Sequence, residues 1–219
     1  GGVGVFVNYG IAKNDGTINV EKDSVANSNA VGIYAVNGSE IHNNGTVNVS
    51  GKASIGLLGM AYRTDSAGNP ITTDGFGDGT ISLENESTGV INMDGESAIG
   101  VYFLNNHSYT SNPVNRGHNF GVINMSGNNA IGMLTTGAHT YNSNIININS
   151  DQGGIGIYAT AGTAANPHSS DIGSDAGSVI NLKSSVSKDN PNIGIFSEIL
   201  EDGYASILSN SGDIIGGDN

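Results

Sequence analysis

Four histidines, His107, His118, His139 and His168, are the side chains of this chain best suited to ligating a metal or moving a proton near neutral pH. Among them stand other good ligand-binding groups: Tyr62, Arg63, Phe76, Tyr109, Arg116, Tyr141 and Tyr204. The histidine spacings are irregular and no Asp or Glu stands at an obvious ligand position, so they read as surface histidines, with no metal expected. Cysteine is absent, which excludes disulfide staples and thiolate metal sites.

Catalytic patterns are equally sparse. Glycoside hydrolysis needs two carboxylates about 5–10 Å apart on one face, yet no Asp-Asp pair occurs and the acids fall mostly in turns. Gly117-His118-Asn119 matches a fragment of a pectinase active-site motif without its acidic partners. Arg116, the basic residue a lyase would need beside calcium carboxylates, has only distant acids in sequence. Gly75-Phe76-Gly77-Asp78-Gly79 is one loose copy of a calcium-binding repeat that works only in tandem, and it reads as a turn. Neither a Ser-His-Asp order nor a phosphate-binding glycine loop with its lysine is present. A non-enzyme without cofactor is expected.

The net charge is −13, and the seven basic residues are scattered, which argues against binding nucleic acid or an anionic membrane surface. No apolar run approaches the roughly 20 residues of a helical membrane span. The chain holds 34 glycines and 30 asparagines. It lacks the aliphatic runs of a helix bundle, but isoleucine and valine recur too regularly for disorder.

The elements that position these groups are repeats. Ser97-Ala98-Ile99-Gly100-Val101-Tyr102 has relatives at Val3-Gly4-Val5-Phe6, Val31-Gly32-Ile33-Tyr34, Ile55-Gly56-Leu57-Leu58, Ile131-Gly132-Met133-Leu134, Ile155-Gly156-Ile157-Tyr158 and Ile193-Gly194-Ile195-Phe196. The glycines are 28, 24, 44, 32, 24 and 38 residues apart, a base unit near 24 with insertions. Each copy is followed by a second motif, as in Gly89-Val90-Ile91-Asn92-Met93 and Gly121-Val122-Ile123-Asn124-Met125. Apolar residues two apart mark a strand buried on one face. A weaker third strand lies between the two motifs, as in Glu40-Ile41-His42-Asn43 and Thr80-Ile81-Ser82-Leu83, and commonly ends in Asn-x-Gly.

Three short strands per unit predict an all-β fold: a parallel β-helix of about seven coils, one solenoid domain over residues 1–219. Stacking at about 4.8 Å gives a rod of about 34 Å. The motif-two asparagines should form an amide ladder along it. In the first motif, alternation places Ile99 and Val101 inward, with Gly100 and Tyr102 outward. Tyr34, Tyr102, Tyr158 and Phe196 then line one stripe with Phe6, Leu58 and Leu134. That stripe is either a packing ladder or an exposed aromatic strip, over a glycine floor, suited to stacking on sugars.

Four insertions, about Met60–Gly79, Leu104–His118, Ala159–Ala176 and Ser197–Ala205, all follow the first strand and so emerge at one corner. They carry most of the binding-competent side chains, and a shorter loop adds His139 and Tyr141. This edge is the expected binding surface, through Tyr62, Arg63, Phe76, His107, Tyr109, Arg116, His118, His139 and Tyr141. Ser184–Asn192 leaves after a different strand.

The alternation of Ala-Ile-Gly-Val-Tyr with Asn-x-Gly-Val-Ile-Asn-Met resembles the passenger of large type V autotransporter adhesins, most like the large fusobacterial outer-membrane adhesins. The resemblance covers Gly2 to Gly216 and concerns the scaffold. It implies a right-handed β-helix that is a segment of a longer passenger, with a signal peptide upstream. Membrane attachment would run only through a barrel domain downstream. It implies display outside the cell and adhesion to a host-cell or bacterial surface receptor, glycan or protein. The alternatives are a passive stalk holding a distal binding domain and, further off, a polysaccharide-degrading β-helix.

Overall fold

Many strands of this chain carry apolar residues two apart, many of them β-branched, and such a strand can bury one face only by stacking on a copy of itself. The computed structural model shows that stacking, and it describes residues 1–21, 29–61, 81–105, 116–160, 170–198 and 206–216. The first coil holds β1 (Val3–Asn8), β2 (Ile11–Asn14) and β3 (Thr17–Val20), and the second β4 (Val31–Val36), β5 (Glu40–Asn43) and β6 (Thr46–Val49). In the third are β7 (Ile55–Ala61), β8 (Ser82–Asn85) and β9 (Val90–Met93), and in the fourth β10 (Ile99–Asn105), β11 (Arg116–Asn119) and β12 (Val122–Met125). The fifth has β13 (Ile131–Thr136), β14 (His139–Asn142) and β15 (Ile145–Ile148); the sixth, β16 (Ile155–Thr160), β17 (Ser170–Ser174) and β18 (Val179–Leu182). The seventh is β19 (Ile193–Glu198), β20 (Ser206–Asn210) and β21 (Asp213–Gly216). No helix occurs among the described residues.

First, second and third strands of successive coils pair in parallel, forming three seven-stranded sheets wound as a right-handed β-helix. Register is kept throughout: Ile91, Ile123, Ile146 and Ile180 stand one above another in sheet three, all fully buried. Each such side chain contributes about 1.5–3 kcal/mol when withdrawn from water. Phe103, the largest fully buried side chain, packs over Gly117, where a Cβ would already stand in contact with the ring at 3.6 Å.

The buried asparagines of sheet two are paired with one another. Asn14, Asn43, Asn85, Asn119 and Asn142, at the ends of the sheet-two strands, are buried and linked amide to amide at 2.7–2.8 Å. The ladder expected on sheet three is present on its outer face: Asn19, Asn48, Asn92, Asn124, Asn147 and Asn181 are joined at 2.7–2.8 Å.

Close stacking selects the glycine of the Asn-x-Gly turns: a Cβ at Gly121 would collide with the Gly89 carbonyl oxygen of the coil beneath. Two expectations need correction. Gly100 faces inward, not outward: a Cβ there would lie 2.6 Å from the Gly132 carbonyl oxygen and 2.7 Å from Ile123 Cγ2. Gly100 and Val101 are consecutive buried residues and Ile99 is half-buried, so the period-two pattern breaks. Second, the insertions are shorter than expected, because residues 116–118 and 170–174 belong to sheet-two strands. All four long connections still run from a first-sheet strand to a second-sheet strand.

Candidate functional site

The outer face of sheet two collects the ionisable side chains. Along β5, β8, β11 and β14 the inward positions are Ile41, Leu83, Gly117 and Thr140, which leaves the residues on either side of each pointing to solvent. Register turns these into two outward columns. One runs Glu40, Ser82, Arg116, His139, Asp171, and the other runs His42, Glu84, His118, Tyr141. Arg116 and His118 therefore sit on a strand instead of an insertion, and His139 and Tyr141 sit on β14 instead of a loop. The strand positions are fixed by ladder hydrogen bonds, so this surface is rigid where a loop would need ordering.

Contacts run from coil to coil. Arg116 Nη2 lies 3.6 Å from Glu84 Oε1, and His139 Nδ1 lies 3.2 Å from Asp171 Oδ2. The His118 ring packs edge-on against Phe120 at 5.1 Å and against Tyr141 at 5.8 Å between centroids. Burial lowers the His118 pKa, with the Arg116 charge adding to it, although Glu84 and Asp175 pull the other way. Tyr141 is pushed up to about 12, first by burial and then by its hydrogen bond to Asp171. The result is a neutral aromatic patch of His118, Phe120 and Tyr141 bordered by Arg116 and His139. Of the expected edge residues, the structure thus brings Arg116, His118, His139 and Tyr141 together. Tyr62, Arg63, Phe76, His107 and Tyr109 lie outside the described residues, as do His168 and Tyr204.

A second cluster on this face has no counterpart in the sequence reading. His42 Nδ1 contacts Glu86 Oε1 at 2.8 Å and Glu84 Oε2 at 3.4 Å, and its Nε2 contacts Glu40 Oε2 at 3.3 Å. Hydrogen bonding to Glu86 is the largest influence on His42 and raises its pKa, against the opposing effect of burial. His42 and Glu86 are 44 residues apart, so only the register shows that they meet.

The stripe on sheet one is continuous in register: Phe6, Tyr34, Leu58, Tyr102, Leu134, Tyr158, Phe196. Its rings touch in two pairs, Phe6–Tyr34 at 5.3 Å and Tyr158–Phe196 at 5.2 Å, and the leucines separate these from Tyr102. Tyrosine hydroxyls reach across coils: Tyr34 to Met60 Sδ at 3.0 Å, Tyr158 to Glu198, and Tyr102 to Thr136. With Gly100 and its relatives inside, the glycine floor expected beside the rings is not at the surface. The stripe has the contacts of a packing ladder.

Sheet three offers an open groove of about 350 Å³ along the outer asparagine ladder, with Ser50, Asp94 and Ser126 also in its lining. Comparison with family models, with curated proteins and with solved structures gave no match to this chain.

Proposed function

We propose that this chain is a non-catalytic recognition segment of a surface-displayed adhesin, attaching to a glycan or protein receptor on host cells or other bacteria. One observation carries the reading. Stacked strands gather Arg116, His118, His139 and Tyr141 into one rigid outward patch. A guanidinium bordering aromatic rings packed edge to face is the composition of a recognition hot spot. An outward strand face suits a receptor surface better than a small buried substrate. The resemblance to autotransporter passengers supports display outside the cell.

The experiment is binding of the purified chain to a glycan panel and to host and bacterial cells, beside Arg116→Ala and Tyr141→Ala variants. Binding by the parent that falls at least tenfold in folded variants supports the reading. No binding by the parent would overturn it and leave the rod as a spacer for a distal domain. Binding unchanged in both variants would move the receptor surface off this face.

A further inference from the structure

The cluster at coils two and three has chemistry that the recognition patch does not use. His42 and Glu84 are direct register partners in sheet two, and Glu86 is pinned by its backbone N–H donating to the Asn43 carbonyl at 2.9 Å. One ligand atom from each of His42, Glu84 and Glu86 lies within 4.8 Å of the others. None of the three side chains is more than 28% exposed. All three come from the hydrogen-bonded frame of the β-helix, which holds a constellation better than a loop would.

The second carboxylate contact of the ring orients it. Glu40 Oε2 sits 3.3 Å from Nε2, on the opposite side of the imidazole from Glu84 and Glu86. A carboxylate accepting the Nε2 proton is the arrangement that orients metal-ligating histidines. Nδ1 and Glu86 share a proton at 2.8 Å, with Glu84 3.4 Å away. A divalent cation can take the place of that proton, drawing on the same nitrogen and both carboxylates. Glu84 is divided between two tasks, with Oε1 toward Arg116 and Oε2 toward His42.

We propose that His42, Glu84 and Glu86 bind one zinc ion, with Glu40 holding the imidazole in its ligating tautomer. One nitrogen and two carboxylate oxygens are ligands zinc accepts in a four-coordinate site, with water completing the set. Calcium and magnesium take all-oxygen shells of six or more and fit this set poorly. The site lies in the same outward columns as the Arg116 patch, one coil away, but binding of the ion needs no receptor.

The test is calorimetric titration of the chelator-treated chain with zinc chloride, repeated with calcium chloride. Cobalt substitution provides a spectroscopic readout of tetrahedral geometry. One zinc per chain is expected, weakened at least about tenfold in His42→Ala and in Glu86→Gln. His139→Ala, which removes a histidine of the recognition patch, should bind zinc as the parent does. Circular dichroism of each variant checks that the rod is intact. Absence of zinc binding by the parent, calcium bound in preference to zinc, or undiminished binding in both ligand variants would overturn the proposal. Because receptor binding is measured separately, failure of one reading leaves the other standing.

Discussion

Asn85 and Asn119, in adjacent coils, are joined side chain to side chain inside the rod: Asn85 Nδ2 donates to Asn119 Oδ1 at 2.8 Å. Asn119 passes the bond on, donating from Nδ2 to Asn142 Oδ1 at 2.8 Å and to the Ile145 carbonyl at 3.2 Å. All three side chains are buried. Asn119→Ala would strand a donor on one side and an acceptor on the other where water does not enter. The expected cost is about 1–3 kcal/mol, read from urea unfolding. Asn124→Ala, on the outer ladder, breaks bonds of the same length where solvent can replace them, and should cost less than about 1 kcal/mol. Equal losses in the two variants would refute the distinction between the ladders.

The inward glycine makes a second prediction. At Gly100 a methyl group would meet the Gly132 carbonyl oxygen at 2.6 Å and Ile123 Cγ2 at 2.7 Å, one of them backbone. Neither neighbour can retreat without opening the coil spacing that every ladder shares. Gly100→Ala should therefore destabilise the rod by about 1–3 kcal/mol or more. Gly16→Ala is the control, since a Cβ there has nothing within 4 Å. Thermal unfolding of the two variants side by side decides it, and a Gly100→Ala protein as stable as the control would place this glycine outside the core.

How much of this was legible follows from period. A repeat near 24 residues with three alternating strands contains the coil, the parallel sheets and the outer asparagine ladder, because identical residues at a fixed period must stack. Gly100 was not legible, since alternation assigns it outward, whereas it is buried next to Val101 where the alternation breaks. The site was half-legible. Arg116, His118, His139 and Tyr141 stand out by type, but their strand was hidden by insertions of unequal length, so they read as loop residues. His42 and Glu84 could not be paired at all without knowing how many residues the third coil inserts. The buried asparagine ladder was visible only as Asn-x-Gly turn chemistry.

Alkaline stability offers a third test. Tyr158 is pushed up to about 12 by burial first, then by its hydrogen bond to Glu198 and the charge of that carboxylate. Tyr141 is raised to about 12 by burial and Asp171. A raised pKa means that the folded state holds its proton more tightly than the unfolded chain, whose tyrosines titrate near 10. The associated stability is complete below about pH 10 and lost as pH rises toward about 12. Tyr158→Phe should flatten the fall of the unfolding midpoint across that window. Tyrosinate absorbance in Glu198→Gln should show Tyr158 ionising earlier, closer to 10. An unchanged titration in Glu198→Gln would remove Glu198 as a cause.

The last prediction concerns the neutral centre of the recognition patch. His118 is held below 6.5 by burial and by the Arg116 charge, with Glu84 and Asp175 opposing. Its imidazole is uncharged at pH 7, which lets it pack edge-on with Phe120 and Tyr141 as an aromatic ring. For a depressed pKa the linked stability is present above 6.5 and is lost as pH falls through the folded value, because the unfolded chain takes the proton first. Imidazole proton shifts followed by NMR should place the His118 midpoint below 6.5. Arg116→Ala removes a cause that lowers it and should move the midpoint up. Glu84→Gln removes a cause that raises it and should move the midpoint down. The two variants must therefore shift in opposite directions. Shifts of the same sign would remove these two charges as causes, and a parent midpoint at or above 6.5 would mean that His118 is solvated like a free imidazole instead of held neutral by burial.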